Sequence, residues 1–181
     1  VIKDACILVN ADGRVEYVGP KTFAPQVDYE CISAPDLWLC PGFIDIHTHG
    51  GNGVAFGVGN ALAEDLQAYS QWVAKTGVTG FLATIAGATR EDLSNLLDDY
   101  APILNKGVHG ARALGLHLEG PFLSVEKKGA FNPKWLRPPL MEEALEYIQK
   151  GRGWIRQISI APELPHAFEV AREFRKAHIT V

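Results

Sequence analysis

Two stretches of the sequence set ionisable side chains at every second position of an apolar run. Residues 41–50 read PGFIDIHTHG, where Asp45, His47 and His49 alternate with Ile44, Ile46 and Thr48. Residues 111–121 read ARALGLHLEGP, where His117 and Glu119 alternate with Leu114, Leu116 and Leu118. Successive side chains of a β-strand point to opposite faces, so each stretch has an apolar face and a face of imidazoles and carboxylates. Burying such groups without partners costs a few kcal/mol each. A hydrogen-bond network or a metal ion must compensate.

Two imidazoles two residues apart on one strand can bind a single divalent ion at about 2.0–2.1 Å. The same spacing also suits a pair of hydrogen-bonded core histidines. Asp45 lies one step deeper, where it orients a histidine ring or makes a structural hydrogen bond. Glu119, two strands further along and at the mouth, is placed to complete or bridge a metal site. Its alternative is a cap, which Gly120-Pro121 disfavours by ending the strand in a long loop instead of a helix. His117, deeper than Glu119, is structural or supports the ligands from behind. Structural zinc sites contribute on the order of 10 kcal/mol, more than the few kcal/mol lost per buried polar group, so the energetics favour metal.

These residues need elements that bring them together. From Phe43 onward apolar strands alternate with amphipathic helices. FIDIHTH is followed by the Gly-rich GGNGVAFG and a helix over about 61–76, with Leu62, Leu66, Tyr69 and Val73 at helical spacing and Gly77 as its C-cap. VTGFLATI precedes a helix opened by TRED, a capping-box pattern, with Leu93, Leu96, Leu97 and Tyr100 on one face. ARALGLHLEG leads through a long loop to a helix over about 141–150. IRQISIA precedes a helix over about 165–177, and HITV begins another strand. Four βα units and the start of a fifth imply a parallel sheet with right-handed crossovers. An open doubly wound sheet and a (β/α)8 barrel both fit. Functional groups at the carboxyl ends of separate strands favour the barrel, of which roughly 140 residues make about half. The α/β fold expected is therefore the first half of a (β/α)8 TIM-type barrel over residues 42–181, cut near its fifth strand. Residues 1–41 read as a small β domain, part of a β-sandwich, from the runs ACILV, RVEYVG, YECISA and LWLC, with NADGR as a hairpin turn.

Composition excludes several classes. The 181 residues are 47% hydrophobic with a formal charge of -4, which makes no electrostatic case for nucleic acid or an anionic membrane. No apolar run approaches the roughly 18 residues of a membrane-spanning helix. Cys6, Cys31 and Cys40 have no metal-type spacing and read as reduced packing residues of a cytoplasmic protein. The chain opens on Val1, contains only Met141 as methionine and ends within a strand-like run, so it reads as a piece of a longer chain. In the loop after Glu119, Lys127, Lys128, Lys134 and Arg137 either meet an anionic substrate or form a solvated surface.

PGFIDIHTHG, LGLHLEGPFLSVEKKGAFNP and IAPE together resemble the N-acetylglucosamine-6-phosphate deacetylase family of the amidohydrolase superfamily. The resemblance spans essentially all of this chain and about half of a family member. It implies that Glu119 is the metal ligand common to the family and that His47 and His49 match the pair holding a further metal in some members. It also implies that Ala130 matches a backbone contact to the amino sugar. Histidine often follows KKGA in the family, whereas Phe131 stands here. The implied cofactor is a divalent metal, zinc or similar, one or two per subunit, and the implied partner is a phosphorylated amino sugar, with a homodimeric full-length protein. The implied reaction is hydrolysis of an acetamide by water activated at the metal. Two further histidine ligands and a catalytic aspartate are expected beyond Val181, so this stretch alone is expected to be inactive.

Overall fold

The structure, a computed structural model, describes residues 1–28 and 30–181. They divide into two compact units, 1–39 and 40–181. In the first, β1 (Ala5–Val9) and β2 (Val15–Pro20) form an antiparallel hairpin. Its turn is closed by Asn10, whose Oδ1 accepts from the backbone N–H groups of Asp12 at 3.0 Å and Arg14 at 2.9 Å. Such side-chain acceptance is why Asn opens turns. The strands expected at YECISA and LWLC are not formed among the described residues, and Tyr29 lies outside them. Ile32, Leu37, Trp38 and Leu39 are all exposed, so no packed face exists there to reward strand formation.

The second unit carries the alternation. Strands β3 (Phe43–Thr48), β6 (Val78–Ala86), β7 (Arg112–Glu119) and β8 (Ile155–Ser159) form a parallel sheet in that order. A minute hairpin, β4 (Gly50–Gly51) and β5 (Val54–Ala55), follows β3. Gly50 has φ +117°, and a Cβ on it would lie 2.3 Å from the Val54 carbonyl oxygen, so only glycine fits that turn. The crossovers are α1 (Leu62–Val73), α2 (Arg90–Lys106) and α3 (Met141–Lys150), and α4 (Ala167–Lys176) follows β8. Gly77 takes the left-handed conformation after α1, and Thr89 caps α2 by accepting from the Asp92 N–H, as the sequence signals require. Beyond α4 the expected next strand is present as a single bridge between Thr180 and Gln157.

One face of the sheet forms the core. Phe81, Ala83 and Ile85 of β6, with Leu116 and Leu118 of β7 and Ile158 of β8, pack against Leu66, Leu97, Tyr100 and Phe174 of the helices. Burying each large apolar side chain contributes about 1.5–3 kcal/mol. Strand β3 departs from its expected burial, with Phe43 68%, Ile44 64% and Ile46 54% exposed. Among the described residues it lies at the edge of the sheet, with a partner strand on one side. The three cysteines are free, and Cys31 and Cys40 are exposed where packing was expected. No helix among the described residues is long and apolar enough to cross a membrane.

Candidate metal centre

At the carboxyl end of the sheet, His47 from β3, His49 just beyond it and Glu119 from the end of β7 converge across the intervening β6. His49 Nε2 lies 2.9 Å from Glu119 Oε2, and His47 Nε2 lies 3.9 Å from the same oxygen. One donor atom from each residue falls within 4.8 Å of the others. The two imidazole rings meet edge to face at 5.1 Å. Two half-exposed imidazoles and a more deeply set carboxylate, spaced to share one ion, suit a divalent metal of the zinc type. The donor set therefore fits the cofactor that the sequence pattern implied.

Beneath the cluster lies a hydrogen-bonded row. His117 is buried, its Nδ1 3.2 Å from Thr84 Oγ1 and its Nε2 3.0 Å from Ser159 Oγ. Burial, reinforced by His47 and His49 nearby, lowers its pKa to about 4. The ring therefore stays neutral at ordinary pH and stands 5.0 Å from that of His47 as a support. Asp45 does not reach a ring: its Oδ1 accepts from the His47 backbone N–H at 3.1 Å, the structural alternative. On the other side of the histidine pair, Thr48 Oγ1 lies 3.0 Å from Tyr69 Oη of α1. Thr48, Thr84 and Ser159 were not singled out by sequence reasoning. The available signal was a hydroxyl within an apolar strand run, as in FLATIA and QISI, where Thr84 pairs with His117 and Ser159 with Glu119.

The loop after β7 returns over the strand ends. Phe131 packs so near Gly87 that a Cβ there would lie 3.4 Å from its ring and 3.6 Å from the Glu119 carbonyl oxygen. Ala130, exposed, precedes it in that loop. Arg137 does not present its charge to a ligand. Its guanidinium forks onto Glu143 of α3, which is 1% exposed, and donates to the Ala88 and Trp135 carbonyls and to Tyr147 Oη. The Tyr147 hydroxyl in turn donates to Glu143, and burial raises its pKa. Lys127 and Lys134 remain exposed. A groove of about 750 Å³ opens beside the cluster, floored by Ile85, Ala86 and Gly87 and edged by Trp135, and includes none of the three converging residues.

Residues 38–177 match the model of the amidohydrolase family. The chain belongs to that family. It is 32% identical over 182 residues to N-acetylglucosamine-6-phosphate deacetylase of Bacillus subtilis, covering 99% of this chain and 45% of the relative. It is 31% identical to N-acetylgalactosamine-6-phosphate deacetylase of Escherichia coli O157:H7, covering 79% of this chain and 37% of the relative. The crystal structure of N-acetylglucosamine-6-phosphate deacetylase from Pasteurella multocida superposes with a TM-score of 0.85 at 26% identity, over 99% of this chain and 45% of that one. The chain thus spans somewhat under half the length of these relatives. As an amidohydrolase with an N/O donor cluster at the ends of its strands, it carries the setting for metal-dependent chemistry.

Proposed function

We propose that these residues hold the metal of an N-acetylglucosamine-6-phosphate deacetylase, releasing acetate and glucosamine-6-phosphate in a polypeptide of the relatives' length. The observation that carries this is the convergence of His47 Nε2, His49 Nε2 and Glu119 Oε2 at the carboxyl end of a parallel sheet. The likeness to deacetylases along the whole chain supports it. In this reading Glu119 and the histidine pair are the ligands, for one or two ions. The sheet belongs to a closed (β/α)8 barrel, for which the single-sided pairing of β3 is an argument. The first unit is part of a β-sandwich, and the whole enzyme is a cytoplasmic homodimer.

A divalent ion bound there would polarise the acetamide carbonyl and lower the pKa of a water to about 7. The chain's own residues do the positioning. Glu119 fixes the charge of the site from a buried strand, while His117 backs the His47 ring. The backbone at Ala130 would receive the sugar, and Phe131 offers an apolar wall where a polar contact would otherwise stand. The proton-transferring aspartate and two further histidines would come from beyond Val181.

The test is acetate release from N-acetylglucosamine-6-phosphate by a zinc-loaded polypeptide of the relatives' length, beside the 181-residue chain. Turnover by the longer protein and none by the shorter is expected. Turnover confined to N-acetylgalactosamine-6-phosphate would move the substrate, and activity on cyclic amides alone would refute the reading.

A further inference from the structure

We infer that Thr84 is the positioning residue of the histidine pair, holding a bulge in β3 and fixing the tautomer of His117. This rests on the metal-site reading above and extends it to a residue that touches none of the proposed ligands' donor atoms.

The bulge is visible in the register. Asp45 pairs with Phe81 and Thr48 with Ala83, so three steps along β3 match two along β6. The extra residue falls at Ile46–His47, at the first histidine of the pair. An inserted residue breaks the ladder locally and re-aims the side chains beside it, which is why bulges occur beside active sites. It also leaves an amide in need of a partner. The Thr48 N–H, between the two histidines, donates to Thr84 Oγ1 at 3.0 Å. Thr84 is fully buried, so water does not compete for that bond.

Counting donors then assigns the protons. A threonine hydroxyl has one hydrogen to donate and two lone pairs to accept with. Thr84 Oγ1 already accepts from Thr48, and among the described residues its remaining neighbour is His117 Nδ1 at 3.2 Å. Were Nδ1 protonated, both neighbours would donate to Thr84 and its own O–H would be buried without an acceptor, at about 1–3 kcal/mol. With Nδ1 bare, Thr84 donates to it, and Nε2–H donates to Ser159 Oγ at 3.0 Å. Every buried donor is then used. One hydroxyl joins β3 to β7 through β6, coupling the backbone between His47 and His49 to the ring behind His47.

The experiment compares the protein with Thr84→Val, which keeps the shape and loses the hydroxyl, and Thr84→Ser, which keeps the hydroxyl. Nitrogen-15 NMR of the metal-free protein reads the His117 tautomer, and titration with Co²⁺ reads affinity and the visible spectrum. Expected are an Nε2–H ring in the parent and in Thr84→Ser, a bare Nδ1 whose nitrogen-15 resonance moves in Thr84→Val because it loses its donor, and Co²⁺ affinity about tenfold or more weaker in Thr84→Val alone, with an altered spectrum. A purely structural threonine would lower the melting temperature of Thr84→Val and leave the Nδ1 resonance, affinity and spectrum as they are, which overturns the assignment. An Nδ1–H ring in the parent also overturns it, with no variant needed. A parent that takes up no Co²⁺, with the Nδ1 resonance still moved by Thr84→Val, would refute the metal reading while leaving the assignment of Thr84 to the bulge and to His117 in place.

Discussion

Strands β3 and β7 both deliver side chains to the metal cluster, yet they are held in opposite ways. β7 runs through the middle of the sheet between β6 and β8, with Leu116 and Leu118 fully buried on its helix side. The loop after it is pinned to α3 by the buried Arg137–Glu143 pair. β3 has one neighbour and leaves Ile44 and Ile46 half or more exposed. Around its histidines the Thr48 N–H donates to Thr84, the Thr48 hydroxyl meets that of Tyr69, and the His47 N–H donates to its own Asp45. Packing fixes the carboxylate; a few polar contacts fix the imidazoles. Stability and site geometry should therefore respond differently on the two strands.

The contrast is broken most severely on the β7 side. Replacing Arg137 by Met leaves Glu143 buried without its cation and should cost about 3–5 kcal/mol, read as a shift of the urea midpoint. Arg137→Met combined with Glu143→Leu should recover most of that loss, because the stranded charge goes with its partner. If the single variant melts like the parent, the loop is not held by this pair. Next in size, Leu118→Ala should destabilise by about 3 kcal/mol through a cavity between sheet and helices. Thermal unfolding followed by circular dichroism measures it, and a loss below about 1 kcal/mol would mean the core there collapses to refill the space.

Glu119→Gln sharpens the comparison at the site itself. It keeps the shape of a partly exposed residue, so folding should change little, while zinc affinity measured by calorimetry falls at least about 100-fold. Unchanged zinc binding would remove Glu119 from the ligand set. The smallest effect is expected at the edge: Ile44→Ala and Ile46→Ala should each stay within about 0.5 kcal/mol in the 181-residue chain. A loss of several kcal/mol on urea unfolding would show that this edge is covered in solution.

Much of this was written locally. The alternation of PGFIDIHTHG and LGLHLEG put His47, His49 and Glu119 on site-facing positions, and the structure brings their donor atoms together. The threonine of TRED caps α2, and α3 spans Met141–Lys150, where a helix over about 141–150 was expected. Periods of two and of about 3.6, together with caps and turn residues, act over a few neighbouring positions and are legible in the order of residues. What escaped depended on partners far along the chain. Residue types in YECISA and LWLC favour strands, but no sheet receives those that the structure describes. Arg137 has the charge of a phosphate contact, and only the arrival of α3 against its loop commits it to Glu143. The exposure of β3 follows from having one neighbour, which no pattern within β3 encodes. The extra residue at Ile46–His47 exists only in the register between β3 and β6, so the role of Thr84 could be read from the tertiary structure alone. Short-range preferences set which element each segment forms and which faces its side chains take. Pairing, burial and the destination of each buried charge are decided by long-range contacts, because the free energy of those groups is set by whatever the fold places beside them.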